Sequence, residues 1–376
     1  MTARDAAERA WRAAIGAVRG DVAVRRAIRP AAEPVSLLAV GKAASAMTRG
    51  VLPVCARHLR EGLVITKDEA AVDAAGVTTY FGNHPVPGEA SVAAGEAAYA
   101  FLDRVARQSR GRLIVLLSGG ASALMELPRD PWTLDSIQRE VSRRLAVGDT
   151  IHEINAFRRT TSRLKGGRAA ELVPGHIPID VYVISDVEGD DLNVIGSGPF
   201  RTRRRVVRHG IVANLAMARA VAAQNLGDAI GGRVHIHPTF LRGTVEDVAD
   251  AIIAELDAQS PAGWVGGGEP VVRLPSDPGY GGRATHLAAI LSMQLRAAGL
   301  PYAGLVAGTD GSDGVTDLGG AFVAPGRVDD ALWPAIRAAD TGSWALTNGT
   351  AFRPGATGTN VNDLVLLVRS GDALTG

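Results

Sequence analysis

Short apolar runs alternate along the chain with longer segments whose apolar positions recur every three to four residues. The runs are VSLLAV (35–40), LIVLL (113–117), DVYVIS (180–185), RVHIH (233–237), GLVAG (304–308) and LVLLV (364–368). Most are nearly continuous in β-branched residues and leucine, which marks strands buried on both faces. Between them, Ser91 to Val105 and Val245 to Leu256 carry helical spacing, and the opening MTARDAAERAWRAAIGAV reads as an amphipathic helix. Strands bracketed by helices in this way predict an α/β chain whose parallel sheet is covered on both sides. At 376 residues the chain exceeds what one core usually holds, so two domains are expected. The Arg-dense stretch RTRRRVVRHG (201–210) breaks the alternation after a Ser-Gly-Pro turn. It predicts a solvated basic linker and a boundary that divides the chain into residues 1–210 and 211–376.

Composition narrows the class. With 40 basic and 39 acidic residues the formal charge is +1, so no global field draws nucleic acid or an acidic membrane, and any charged partner must be caught locally. The single cysteine, Cys55, excludes an internal disulfide and fits a cytoplasmic location. No apolar stretch approaches the roughly 18 residues of a membrane span, and the charged amino terminus is not a signal peptide. The 45 glycines point to a loop-intensive enzyme and direct attention to where they cluster.

They cluster at strand ends, where ligands sit in parallel sheets. In AVGKAASAM (39–47), Lys42 follows a strand at a helix start, a position that aims an ammonium at an anion, although a surface lysine explains it equally well. In SGGASA (118–123), the Gly119-Gly120 pair either brings backbone N–H groups to an anion or makes a tight turn. In SDVEGDDLNVIGSGP (185–199), Asp186, Asp190 and Asp191 suit Mg2+ or a general base, with turn capping as the alternative. The second half holds GGGEP (266–270), GYGGRATHL (279–287), GTDGSDGVTD (308–317) and TGTNVNDL (357–364). There Arg283 follows a Gly-Gly turn at a helix start, where guanidinium and amide donors converge on one anion. Asp310, Asp313 and Asp317 lack the spacing of an EF-hand. Two half-sites of this kind, facing across a domain cleft, would bind a polyanion and its metal, which is what phosphoryl transfer needs.

Rival signatures fail. The chain contains no Walker loop, no G-x-G-x-x-G fingerprint and no H-E-x-x-H. Gly120-Ala121-Ser122-Ala123-Leu124 approaches a nucleophile elbow, but Leu124 stands where the second glycine belongs.

On the motifs AVGKAA, NHPVPGEAS (83–91), LLSGGASAL, IHEINAFRR with LKGGRAA (164–170), SDVEGDDLNVIGSGP, GGRATHLA, GTDGSDGVTD and TGTNVNDL, met in order over nearly the whole sequence, the chain resembles the class II glycerate kinases. These are D-glycerate 2-kinases whose carboxy-terminal half is called the MOFRL domain. The resemblance implies a Rossmann-like parallel-sheet domain followed by a smaller α/β domain, with the active site in the interdomain cleft. It implies ATP-dependent, Mg2+-assisted phosphorylation of the 2-hydroxyl of D-glycerate, so the partners are a small hydroxy acid and a nucleotide; a homodimer is among the assemblies it allows. By resemblance Lys42 and Arg283 stand at the reacting phosphate, and Ser118, Gly119, Gly120 and Ser122 cradle substrate or phosphate. Asp186 is then a metal organiser or base, Lys165 reaches the nucleotide or packs the loop, and Asn360 and Asn362 surround the nucleotide. Asp190, Asp310 and Asp313 are the metal ligands expected. The chain departs from the family at Ala284, Thr285 and His286, where members usually read Asn-Gln-Glu, at Ala121, and in shortened segments after residue 199 and around 342–355. Hydroxypyruvate reduction, a name often attached to similar sequences, is the alternative activity; a non-catalytic anion-binding descendant of the kinases is another.

Overall fold

The computed structural model describes residues 1–67, 71–147 and 151–369. In chain order it comprises α1 (Ala3–Val18), α2 (Gly20–Ala27), β1 (Val35–Val40), α3 (Ala44–Cys55), β2 (Leu59–Thr66), β3 (Val77–Phe81), α4 (Glu89–Ala106) and β4 (Arg112–Leu117). Next come α5 (Ala121–Leu124), α6 (Leu134–Ala146), α7 (Ile151–Thr161), α8 (Arg168–Glu171), β5 (Ile179–Ile184) and β6 (Arg208–Ala213). The rest is α9 (Leu215–Ile230), β7 (Val234–Ile236), α10 (Val245–Gln259), β8 (Gly263–Gly268), α11 (Arg283–Ala298), β9 (Tyr302–Gly308), β10 (Gly320–Val323), α12 (Leu332–Arg337), α13 (Thr341–Thr347), β11 (Ala351–Phe352) and β12 (Asp363–Arg369). Two compact units form: residues 19–214 with 358–360, and residues 1–18 with 215–357 and 361–369. The amino-terminal helix α1 therefore packs with the carboxy-terminal half. Its Ala7, Ala10, Trp11, Ala14 and Val18 make the buried stripe, and Trp11 meets the Phe352 ring edge-on at 5.0 Å.

In the unit of residues 19–214, six strands pair in the order β3-β2-β1-β4-β5-β6 with every pairing parallel. Helices α2 and α3 cover one face and α4 and α5 the other. Residues of β1 such as Leu37 and Leu38 point to opposite faces, and both are fully buried. Each such side chain contributes about 1.5–3 kcal/mol by leaving water. The arginines of 201–210 are mostly exposed, as a solvated stretch would be, but three of them are anchored. Arg205 donates to the carbonyls of Val173, Pro174 and Ile177, Arg204 pairs with Glu171, and Arg208 lies 2.5 Å from Asp180 as the first residue of β6. Carbonyls just after α8 hold Arg205, and carboxylates hold Arg204 and Arg208, so the stretch is stitched to the sheet edge.

The other sheet has the order β11-β10-β9-β12-β8-β7. It corrects the expectation of a parallel sheet for the second half: β10 with β9 and β11, and β12 with β8 and β9, are antiparallel, and β7 with β8 is parallel. The run LVLLV in β12 is continuous because α1 and α9 cover one face of this sheet and α11 the other. Two-sided burial writes an apolar run whichever way a strand points. The GGGEP segment, read as a loop, supplies strand β8. A Cβ on Gly268 would collide with the backbone of Leu241, which bridges it, so a side chain is excluded by close approach. Among the described residues, no helix is long and apolar enough to cross a membrane.

Candidate functional site

The parallel sheet reverses its strand order between β1 and β4, since the chain runs outward from β1 through β2 to β3 and then from β4 through β5 to β6. Loops on either side of such a point diverge and leave a crevice at the strand carboxyl ends. Here the loops after β1 and β4 are locked together: Lys42 N donates to Gly119 O at 2.9 Å, and Ala43 N donates to Ser118 Oγ at 3.0 Å. The loop after β5 joins them, because Asp186 lies so close to Gly119 that a Cβ there would overlap its carboxylate. Gly120 has φ +83°, and a Cβ on it would sit 3.1 Å from His84 Cδ2 and 3.2 Å from Lys42 Cγ. The glycine pair is therefore demanded twice, by the approach of Asp186 and by a left-handed turn between two side chains. Among the described residues, the amides of Gly119 and Gly120 make no backbone hydrogen bond.

The electrostatics of this corner are positive. Burial, followed by the charges of Lys42, Lys67 and Arg158, lowers the His84 imidazole to about 4, so His84 is neutral at ordinary pH. Arg158, on α7, is 9% exposed, and its Nη1 lies 3.4 Å from Ser122 Oγ. Ser122 shares a 2.8 Å hydrogen bond with Ser197, and Ser197 donates to Asn155 Oδ1 at 3.1 Å. Because the Ser197 proton goes to Asn155, Ser122 is the donor to Ser197 and offers its lone pairs to Arg158.

The expected residues divide accordingly. Lys42, Ser118, Gly119, Gly120 and Asp186 come together, with Ser122 beside them. Lys165 does not join this cluster: it is fully buried and pairs with Glu126, whose other oxygen accepts the Leu127 amide at 3.0 Å. Asp190, with φ 55°, accepts from Asn214 Nδ2 at 2.6 Å, whereas Asp191 closes a turn onto Asn193. Asn360 belongs to the short segment 358–360 that packs with residues 19–214, where Gly358 O accepts from Gly20 N at 3.1 Å.

In the other unit Arg283 opens α11. Its Nε lies 2.5 Å from Asp363 Oδ2, its Nη2 3.2 Å from Asp363 Oδ1, and its Nη1 2.7 Å from Glu269. Burial opposes its charge, but Asp363 and Glu269 outweigh that and raise the guanidinium above its ordinary range. Burial pushes Asp363 up to about 6 against the pull of Arg283, helped by Asp313 and Glu269. Asp313, expected as a metal ligand, has both oxygens engaged by α11 amides, Ala284 N at 2.9 Å and Thr285 N at 2.8 Å. Asp310 accepts from Ser312 N at 3.0 Å. Among the described residues, no group of three or more His, Cys, Asp or Glu is placed to hold a metal by protein ligands alone. The departures at Ala284, Thr285 and His286 fall on positions at most 3% exposed, so they alter the packing beneath Arg283.

Sequence reasoning missed Arg158, Asn155, Ser197, His84, Glu126, Glu269 and Asp363. All but Glu126 lie inside motifs quoted above, but an arginine on a helix, or a carboxylate at a strand start, looks like surface until its neighbours are known.

Residues 6–235 match the family described as a domain of unknown function, DUF4147, and residues 262–363 match the MOFRL family. The chain is 31% identical to the D-glycerate 2-kinase of Thermotoga maritima, over 88% of this chain and 90% of that protein. It is 29% identical to an Agrobacterium vitis protein provisionally named a hydroxypyruvate reductase, over 97% of this chain and 94% of that one. A solved structure of glycerate kinase from Thermotoga maritima superimposes with a TM-score of 0.85 at 29% identity, covering 97% of this chain and 99% of that one. With both halves matched in order and the fold shared end to end, the chain belongs to the class II glycerate kinase family.

Proposed function

We propose that the protein is an ATP-dependent kinase that phosphorylates a hydroxyl of a small hydroxy acid, D-glycerate first, to give 2-phosphoglycerate and ADP. The observation that carries this reading is the convergence of Lys42 with the Ser118–Gly120 loop at the β1/β4 reversal, a point charge beside backbone amides at the place where parallel sheets bind ligands. The D-glycerate 2-kinase name of the Thermotoga maritima relative supports the acceptor.

The residues take roles as follows. Gly119 and Gly120 present amides to phosphoryl oxygens, with Ser118 holding the loop in place through the Ala43 amide. Lys42 neutralises charge on the transferring group. Asp186 accepts the proton of the acceptor hydroxyl as its oxygen bonds to the γ-phosphorus and the bond from that phosphorus to the ADP oxygen breaks. Arg283, oriented by Asp363 and Glu269, keeps two of its five N–H groups beyond those three bonds for transition-state charge. Mg2+, when bound with ATP, shields the phosphate charges. Within their own units Asp190 and Asp310, each with one oxygen in a single hydrogen bond, would have a carboxylate oxygen to offer it, whereas Asp313 has both oxygens engaged. Asn360 and Ser122 complete the polar surroundings.

Reduction of hydroxypyruvate is less well supported. The turn after β1 reads Gly41-Lys42-Ala43-Ala44, which lacks the glycines that admit a dinucleotide pyrophosphate. Purified protein with ATP-Mg2+ and a panel of three- to six-carbon hydroxy acids tests the proposal. ADP release with D-glycerate is expected. NAD(P)H oxidation with hydroxypyruvate, and no ADP with any acid, would overturn it.

A further inference from the structure

Among the described residues, the buried polar cluster beside the phosphate loop does not balance its charges. Glu126 and Lys165 are both fully buried and paired. The Glu126 carboxylate has one oxygen on Lys165 and the other on the Leu127 amide. Glu126 is also the carboxylate that acts on Arg158, so one anion serves two buried cations. Arg158 contacts Ser122 Oγ at 3.4 Å, and its Nε has no hydrogen-bond partner among the described residues. A buried guanidinium with no carboxylate of its own is costly unless a ligand supplies one. Ser122 donates to Ser197, whose own proton goes to Asn155 Oδ1, so the Ser122 lone pairs are left for Arg158. Along the chain Ser122 stands two residues beyond Gly120, whose surroundings suit a phosphoryl group.

We infer that Arg158 binds the carboxylate of the acceptor and is the residue that makes the enzyme select hydroxy acids over neutral alcohols. This rests on the kinase reading above. A planar fork of donors matches a carboxylate, whereas Lys42 and the loop amides serve the phosphoryl group as point charge and dipoles. A 2-hydroxy acid carries its carboxylate one carbon from the reacting oxygen, so a second cation near the phosphate loop, distinct from Lys42, is what such a substrate requires.

The test compares wild type with Arg158→Gln and Arg158→Lys. Arg158→Gln is expected to raise KM for D-glycerate by roughly 100-fold, the scale of losing a buried charged hydrogen-bond partner, while KM for ATP stays within about 3-fold. The preference for D-glycerate over glyceraldehyde collapses with it, and Arg158→Lys recovers part of the affinity but little of that preference. Since the substitution removes an unmatched buried charge, the melting temperature holds or rises, whereas an arginine that only supports the fold would lower melting temperature and activity together. Unchanged KM for D-glycerate, a rise confined to ATP, or a fall in melting temperature with Arg158→Lys fully active would overturn the inference. Absence of phosphorylation of any hydroxy acid by the wild type would instead defeat the kinase reading itself.

Discussion

Arg158 is a buried guanidinium and Arg283 one about a third exposed, and their surroundings treat them in opposite ways. Arg283 is gripped by Asp363 and Glu269, with Asp313 nearby on the amides of the same helix end, so its charge is more than matched. Arg158 has a hydroxyl at 3.4 Å and shares the field of a carboxylate that already holds Lys165. A matched cation is stable as it stands and is held in one orientation. An unmatched one stores a cost that an anionic ligand relieves. The pair therefore separates a residue whose removal damages the fold from one whose removal damages recognition.

The largest effect expected is that of Arg283→Ala. It strands Asp363 and removes transition-state charge, so kcat falls by roughly 10³-fold and unfolding stability by about 3–5 kcal/mol. Steady-state kinetics with a denaturant melt read both. A folded variant with near-normal turnover would erase the site assignment, and Arg283→Ala/Asp363→Asn should recover stability without turnover. Next comes Lys165→Met, which leaves Glu126 buried with Arg158 alone to balance it. A loss of about 3 kcal/mol is expected, much of it restored by Glu126→Gln in the same chain; if the single variant is as stable as wild type, Lys165 is not the ion that holds Glu126.

Lys42→Ala probes the unmatched side directly. Its kcat is expected to fall by about 10²-fold or more while the melting temperature stays put, because no carboxylate is left stranded. A fall in stability instead would place Lys42 with the structural cations. The smallest effect is a pH slope. His84 stays neutral in the folded protein down to about 4, whereas unfolded it protonates near 6.5. Between those values the unfolded state holds more protons, so stability declines as pH drops through that window. His84→Gln should flatten this decline in melts at pH 4 to 7. An unchanged slope would mean that neither burial nor the charges of Lys42, Lys67 and Arg158 hold that imidazole neutral.

Much of the site was readable as motif and little of it as role. The meeting of Lys42, Gly119 and Asp186 was legible because glycine and charge at the end of an apolar run fall at the strand ends of a parallel sheet. Lys165 was not, since a Lys-Gly-Gly-Arg turn gives no sign that its lysine reaches inward to Glu126, 39 residues away in sequence. Asp313 and Ser122 looked like ligands for the same reason. The groups that engage them, the amides at the head of α11 and the Ser197 hydroxyl, are distant in sequence.

Periodicity records how many faces of an element are covered. The sequence alone therefore determined where β1, β4, β5, β9 and β12 lie, that each is buried on both sides, and that glycine-rich polar loops follow several of them. Strand direction leaves no such mark. β5 and β12 carry similar apolar runs, yet one is parallel to both neighbours and the other antiparallel to both. Only the tertiary structure decided that difference, the transfer of α1 to the carboxy-terminal unit, and the pairing of each buried cation. These depend on which segments meet across long stretches of chain, and a charge acquires its meaning from the counter-charge brought beside it.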